Sequence, residues 1–174
     1  MWKKPLYFLL LLIFVRTSEA DQQEVIGIVI KGNQRIEEDA IRVNIKTKVG
    51  ENLSEAVIRD DIKNLFTMGY FEDIQVETEE AKGGVVVTYK LVEKPLVKEV
   101  KVKGNKELDL DKIKEAITIK PRSILDVTEI KKNAKKIHEL YADKGFYLAQ
   151  VDYELKMQER NEVEITFDIK EGDK

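Results

Sequence analysis

Ile26, Ile28 and Ile30 lie two residues apart, the spacing of one face of a β-strand. Gly32-Asn33 follows, where a left-handed or tight backbone costs little for those two residue types. Ile36, Ala40, Ile41 and Ile45 then fall on a helical stripe and predict a first helix near residues 36–46. A second stripe, Ile58, Ile62 and Leu65, starts behind Ser54, a residue type that caps helices. Leu53 before the cap is spaced to meet Ile58, and Gly69 stands where a glycine ends a helix. Beyond it Ile74, Val76 and Thr78 alternate with Gln75 and Glu77. After the flexible Gly83-Gly84, Val85, Val87, Tyr89 and Leu91 alternate again, which predicts a hairpin. The predicted order is strand, helix, helix, strand, strand.

The same pattern returns in the second half of the chain. Ile28-Val29-Ile30-Lys31-Gly32-Asn33 recurs as Val100-Lys101-Val102-Lys103-Gly104-Asn105, an offset of 72. That offset also pairs Ile41 with Ile113, Ile45 with Ile117, Leu53 with Leu125 and Ile58 with Ile130. Gly69-Tyr70-Phe71 pairs with Gly145-Phe146-Tyr147 at 76, and Val87–Leu91 with Ile165–Ile169 at 78. The drift of four residues is about one helical turn and predicts a longer second helix in the second copy. There the first helix is expected near 108–118. Asp126 is the expected cap of the second, with Glu129 completing a capping box. Its buried stripe is Ile130, Ala134, Ile137 and Tyr141. Val151, Tyr153 and Leu155, a turn near Arg160-Asn161, and Val163, Ile165, Phe167 and Ile169 supply the second hairpin.

Three strands with one apolar face need a cover, and two amphipathic helices per copy supply it. The fold class is therefore α+β, with two tandem βααββ domains at 21–93 and 94–174. Domains of this size have modest stability alone. The short link Glu93-Lys94-Pro95, with proline fixing φ, favours a limited set of angles between them.

The first twenty residues change the picture of where this happens. Lys3 and Lys4, the apolar run Leu6–Val15 and Ser18-Glu19-Ala20 have the layout of a secretory signal cleaved before Asp21. The run is shorter than the roughly 20 residues a membrane-spanning helix needs. The alternatives are an uncleaved anchor or a buried helix. The chain has no cysteine and one histidine, so each core holds by packing alone, without disulfides, thiolate metal sites or a multi-histidine site. Residues 21–93 carry 9 Lys/Arg against 15 Asp/Glu, and residues 94–174 carry 18 against 17. Neither half has the strong basic field that nucleic acid requires.

Candidate chemistry is sparse. Asp60 and Asp61 are adjacent on a helix and point to different faces. Glu37-Glu38-Asp39 suits the dipole of a first helical turn. His138 lies within a helix and reads as a structural or surface residue. Gly83-Gly84 lacks the Lys-Ser/Thr of a phosphate loop. Lys131-Lys132 and Lys135-Lys136 read first as a solvated face, with docking to an acidic partner or to lipid headgroups as the alternative. No set of polar groups converges as catalysis demands, so no catalytic residue, metal ligand or cofactor is assigned.

A βααββ unit opened by a strand ending in Gly-Asn, with Gly-Tyr-Phe after its second helix, resembles the POTRA domain. So do the endings Val87-Thr88-Tyr89 to Val92-Glu93 and Ile165-Thr166-Phe167 to Lys170-Glu171-Gly172. Leu65–Ile74 is especially similar to the first POTRA domain of BamA-type outer-membrane assembly factors, and Tyr141–Tyr147 to the matching stretch of a second. The resemblance implies a non-catalytic protein on the periplasmic side of the outer membrane of a Gram-negative bacterium. The implied partners are unfolded outer-membrane β-barrel proteins, accessory lipoproteins and a C-terminal β-barrel of the same polypeptide. The chain has no barrel, which points to a piece of a longer protein. The alternative is a POTRA pair of a two-partner secretion transporter recognising one exported substrate. The family's strand order puts the second strand of each unit at a sheet edge, where an incoming strand pairs by β-augmentation. The candidate edges are Ile74, Gln75, Val76, Glu77 and Thr78 in the first copy, and Val151, Asp152, Tyr153, Glu154 and Leu155 in the second. Tyr70, Phe71, Phe146 and Tyr147 border them, and one of each pair is expected in the core.

Overall fold

The computed structural model describes residues 23–174; the expected export signal at 1–20 lies outside the described residues. The first unit runs β1 (Val25–Lys31), α1 (Glu38–Arg42), α2 (Glu55–Thr67), β2 (Phe71–Ala81) and β3 (Gly84–Glu93). The second runs β4 (Leu96–Lys103), α3 (Leu110–Ala116), α4 (Val127–Asp143), β5 (Gln150–Gln158) and β6 (Glu162–Lys170). Each unit is a three-stranded mixed sheet, in the orders β1-β3-β2 and β4-β6-β5. The first strand is parallel to the central one and the second antiparallel to it. Tandem βααββ units are thus the fold, with the third strand of each in the centre. That is the order the family resemblance implies, and Val85, Val87, Tyr89 and Leu91, like Val163, Ile165, Phe167 and Ile169, are all buried in it.

One strand departs from the alternation. Val25 is buried and Ile28 and Ile30 pack on the core, but Ile26 is 37% exposed. The ladder shifts register between Val25 and Gly27, so Ile26 is the extra residue of a bulge that restores the inward phase for Ile28. The second unit repeats the bulge between Val97 and Glu99, with Val97 buried.

The second helices have 13 and 17 residues, so the four-residue drift of the repeat is an added helical turn. Ser54 Oγ accepts from the Val57 N–H, and Asp126 accepts from the N–H groups of Thr128 and Glu129. The expected capping box is only half formed. Glu129 turns away from its own cap to accept from Thr118 and Asn133.

The first helices are shorter than expected, and a buried polar residue on the second helix explains it. Asp61 is fully buried and takes the N–H groups of Lys46 (2.6 Å) and Thr47 (3.1 Å), which a longer helix would have given to carbonyls of its own. Thr47 Oγ1 donates to Asp61 (2.6 Å), and Tyr89 donates to it from the central strand (2.7 Å). In the second unit Asn133 sits at the equivalent place and accepts the Thr118 N–H (2.6 Å), while Phe167 replaces Tyr89. Burial foremost, then the Asp61 carboxylate, pushes the Tyr89 hydroxyl well above its ordinary range, so it stays a donor.

A joint closes each unit. Gly32 has φ of 89°, and a methyl group there would overlap the Leu91 carbonyl; Gly104 (φ 86°) stands likewise against Ile169. The turn that follows is held from the end of the central strand. Glu93 accepts the N–H groups of Gln34, Arg35 and Ile36 at 2.7–3.0 Å, and Arg35 Nε at 2.7 Å. Glu171 accepts those of Lys106 and Glu107 and the Tyr141 hydroxyl (3.0 Å). Burial would raise the Glu93 carboxyl, but the Arg35 guanidinium and the three N–H groups outweigh it and hold it down at about 2. Burial is likewise outweighed at Glu171, which is also lowered.

Candidate peptide-binding edges

β2 and β5 each pair with one strand only, the central one. The opposite edges are partly occupied. Val25 exchanges backbone bonds with Glu51 and Gly50 (2.8 Å each), and Val97 with Ser123 (2.8 Å) and Arg122 (2.6 Å). Beyond those single residues β1 and β4 are sheet edges too; β2 and β5, with residues 74–78 and 151–155, are the edges on the far side of each central strand. Charge guards both: Glu77 pairs with Lys90 and is followed by Glu79 and Glu80, while Asp152 stands 3.9 Å from Lys170 and is followed by Glu154 and Lys156.

The inward-facing rows of these edges differ. Opposite the central strand, Ile74, Val76, Thr78 and Glu80 face Leu91, Tyr89, Val87 and Val85. Val151, Tyr153, Leu155 and Met157 face Ile169, Phe167, Ile165 and Val163. The first row turns polar halfway along, whereas the second is apolar throughout. Tyr153 and Leu155 are half-buried and Met157 is 57% exposed.

A profile of the family described as POTRA, surface antigen variable number repeat, matches residues 24–94 and again residues 95–172. The chain belongs to this family. Over 151 residues it is 26% identical to the outer membrane protein assembly factor BamA of Nitratidesulfovibrio vulgaris, covering 86% of this chain and 19% of that protein. It is 27% identical over 146 residues to the BamA of Neisseria meningitidis, covering 82% of this chain and 18% of that one. The chain thus spans about a fifth of the length of these relatives. Among solved structures, the N-terminal domain of Omp85 from Thermosynechococcus elongatus matches with a TM-score of 0.58 at 23% identity, over 86% of this chain and 63% of that one. POTRA1-2 of Omp85 from Anabaena matches with 0.51 at 20% identity, over 87% and 97%. These two likenesses are of fold.

Each POTRA unit carries a groove between its open edge and the start of its second helix. In the first, Val76 and Thr78 meet Leu53, Ile58, Glu55 and Arg59 around a hollow of about 320 Å³. In the second, Leu155 and Met157 meet Leu125 and Val127 in a hollow of about 670 Å³, whose far wall is Glu72, Lys94 and Pro95. Both grooves mix charged and apolar walls: Glu55 and Arg59 line the first, and Asp126 and Thr128 stand beside Leu125, Val127, Leu155 and Met157 in the second. Of the aromatic pairs, Phe71 and Phe146 are buried and Tyr70 and Tyr147 exposed, so one of each belongs to the core. The order swaps between copies, which spacing alone does not reveal.

The remaining candidates do not converge on these grooves. His138 is half-buried on α4. Lys132 and Lys135 lie 3.6 Å from Glu129 and Glu139 of the same helix, as a solvated face does. Asp60 is on the surface 3.5 Å from Lys46, and Asp61 is committed to the core. Among the described residues no group of His, Asp or Glu is placed to hold a metal ion. What the sequence did not single out is the junction side of the second groove. Glu72 reaches it because β2 begins with a bulge between Phe71 and Asp73, and nothing in the local sequence marks a bulge there.

Proposed function

We propose that this chain is the periplasmic POTRA segment of an Omp85-type outer-membrane biogenesis factor, exported by a signal at residues 1–20, that takes extended segments of unfolded outer-membrane proteins onto its open sheet edges. The domain limits 21–93 and 94–174 belong to the same reading. The single observation that carries it is the unpaired β5 edge, Val151, Asp152, Tyr153, Glu154 and Leu155, lying beside a partly apolar groove. An incoming strand gains backbone hydrogen bonds that are nearly blind to sequence, and its alternate side chains enter the groove. Burying one aliphatic side chain there contributes roughly 1.5–3 kcal/mol, less the ordering of the peptide. That balance gives weak, reversible binding, which suits a module that hands its cargo on. Ile74, Gln75, Val76, Glu77 and Thr78 form the second, weaker edge. The assembly role is favoured by similarity to the BamA proteins, and accessory lipoproteins and a C-terminal β-barrel are the further partners that this role implies.

The test uses a labelled peptide with the alternating pattern of an outer-membrane β-strand, and the same peptide N-methylated at alternate amides. Micromolar-to-millimolar binding that is lost on methylation is expected. Equal binding of both peptides removes strand pairing as the mechanism. Intact mass of protein recovered from the periplasm checks the export signal, with Asp21 as the expected first residue.

A further inference from the structure

The second groove is not contained in the second domain. Val127, Leu155 and Met157 form one side, and Glu72, Lys94 and Pro95 close the other. Glu72 is the extra residue of the bulge that opens β2, so the first domain turns a side chain toward a groove lined mainly by its neighbour. The equivalent strand start in β5 pairs in regular register. Two residues, Lys94 and Pro95, separate the central strand of the first sheet from β4. Pro95 is buried and its carbonyl accepts from the Leu125 N–H at the groove floor (2.8 Å). On the other side of the link, Asn161 Nδ2 donates to the Glu93 carbonyl (2.8 Å). Those two bonds hold the link to the second domain, so a change in the angle between the domains moves Glu72 relative to the rest of the groove.

From this placement we propose that the β5 groove is a composite site of both domains, and that its occupancy by an extended apolar segment sets the angle between them. The inference rests on strand binding at β5 and adds a consequence to it. A segment seated along Leu155 and Met157 runs past the stem of Lys94 on the link to Glu72 of the first domain, so it contacts both bodies at once. Only conformations with the groove at full width accept it, and binding selects them from the hinge's range. Cargo capture in the second domain thereby becomes an orientation signal passed to the first.

The chain has no cysteine, so spin labels enter cleanly at Lys63→Cys on α2 and Asp143→Cys on α4, both exposed and away from the groove. The probe is a synthetic peptide alternating leucine with threonine. On saturation the distribution of distances between the labels is expected to narrow, and the amides of Glu72 and Lys94 to shift with those of 151–157. Pro95→Gly, which keeps the carbonyl but frees φ, should weaken peptide binding about fivefold by adding an ordering cost. Shifts at 151–157 with unchanged label distances and unchanged affinity in Pro95→Gly overturn the coupling and leave strand binding at β5 intact. Binding confined to 74–78, or no binding at millimolar peptide, overturns both.

Discussion

The two POTRA units are one fold solved twice, and the places where they differ separate what the fold requires from what it leaves free. Both keep the Gly-Asn turn against the central strand and the glutamate that holds it. Elsewhere they diverge. The first unit buries a carboxylate, Asp61, under Thr47 and Tyr89; the second uses the amide of Asn133. On the open face of the sheet, Ile26, Val29 and Val86 stand where the second unit has Lys98, Lys101 and Glu164, and there Lys101 bridges Glu99 (3.0 Å) and Glu164 (2.8 Å). At the edge, Thr78 and Glu80 stand where the second unit has Leu155 and Met157. The joint is a steric requirement. The edge is a surface that the fold leaves free to vary.

The steric part is where the comparison should break hardest. Gly32→Ala and Gly104→Ala each combine a left-handed backbone with overlap on a carbonyl. Each is expected to remove about 3–5 kcal/mol from its own domain and to leave the other domain folded. Hydrogen exchange resolved by residue distinguishes the two. Equal loss in both domains would mean that they unfold as one body.

The buried polar residues should differ next. Asp61→Ala strands two backbone N–H groups and two hydroxyls, and is expected to cost about 3 kcal/mol. Asn133→Ala strands fewer, and about 1–2 kcal/mol is expected. Urea unfolding measures both. Asp61→Asn together with Tyr89→Phe imports the arrangement of the second unit, and should cost less than the sum of the single changes.

Acid should sharpen the contrast. Glu93 is lowered in the folded state from an ordinary value of 4.5 to about 2. Its contribution is present in full above about 4.5 and is lost as pH falls toward 2, since the unfolded chain then binds the proton first. The loss expected over that window is on the order of 2–3 kcal/mol, and Glu93→Gln should abolish that slope. Glu171 titrates in the same direction, so both domains weaken in acid. Denaturant midpoints between pH 2 and pH 5 measure the effect.

The smallest expected change is at the edge. Leu155→Thr removes one aliphatic contact and should weaken peptide binding by roughly 1 kcal/mol, or about fivefold, with Thr78→Leu gaining a similar amount at β2. Isothermal titration of the single and paired variants checks whether preference moves with the side chain.

Much of this was legible because the chain carries its own internal comparison. Element order, helix caps at Ser54 and Asp126, and the added turn of α4 all follow from two aligned copies, while the central place of the third strand was implied only by the family resemblance. Two things stayed hidden for a physical reason. The bulges at Ile26 and Glu72 leave apolar spacing nearly unchanged while turning a side chain to a new face. The first helices stop early because Asp61 and Asn133 take backbone N–H groups from residues 14–15 and 15 positions away, and periodicity does not carry contacts of that range. The role of Glu93 was hidden likewise: it reaches back 57–59 residues to hold a turn. Of the site, the edges were legible as alternating strands, but the wall that the first domain lends to the second groove was not.

The central claim is that the β5 edge receives extended chains in preference to β2. Backbone amide shifts of the isotope-labelled chain, followed during titration with an alternating apolar–polar peptide, test it most directly. The account predicts shifts concentrated on residues 151–157 and the facing start of α4, with weaker changes at 74–78 only at higher peptide. Shifts centred on 74–78, or confined to helix surfaces remote from both edges, would contradict it.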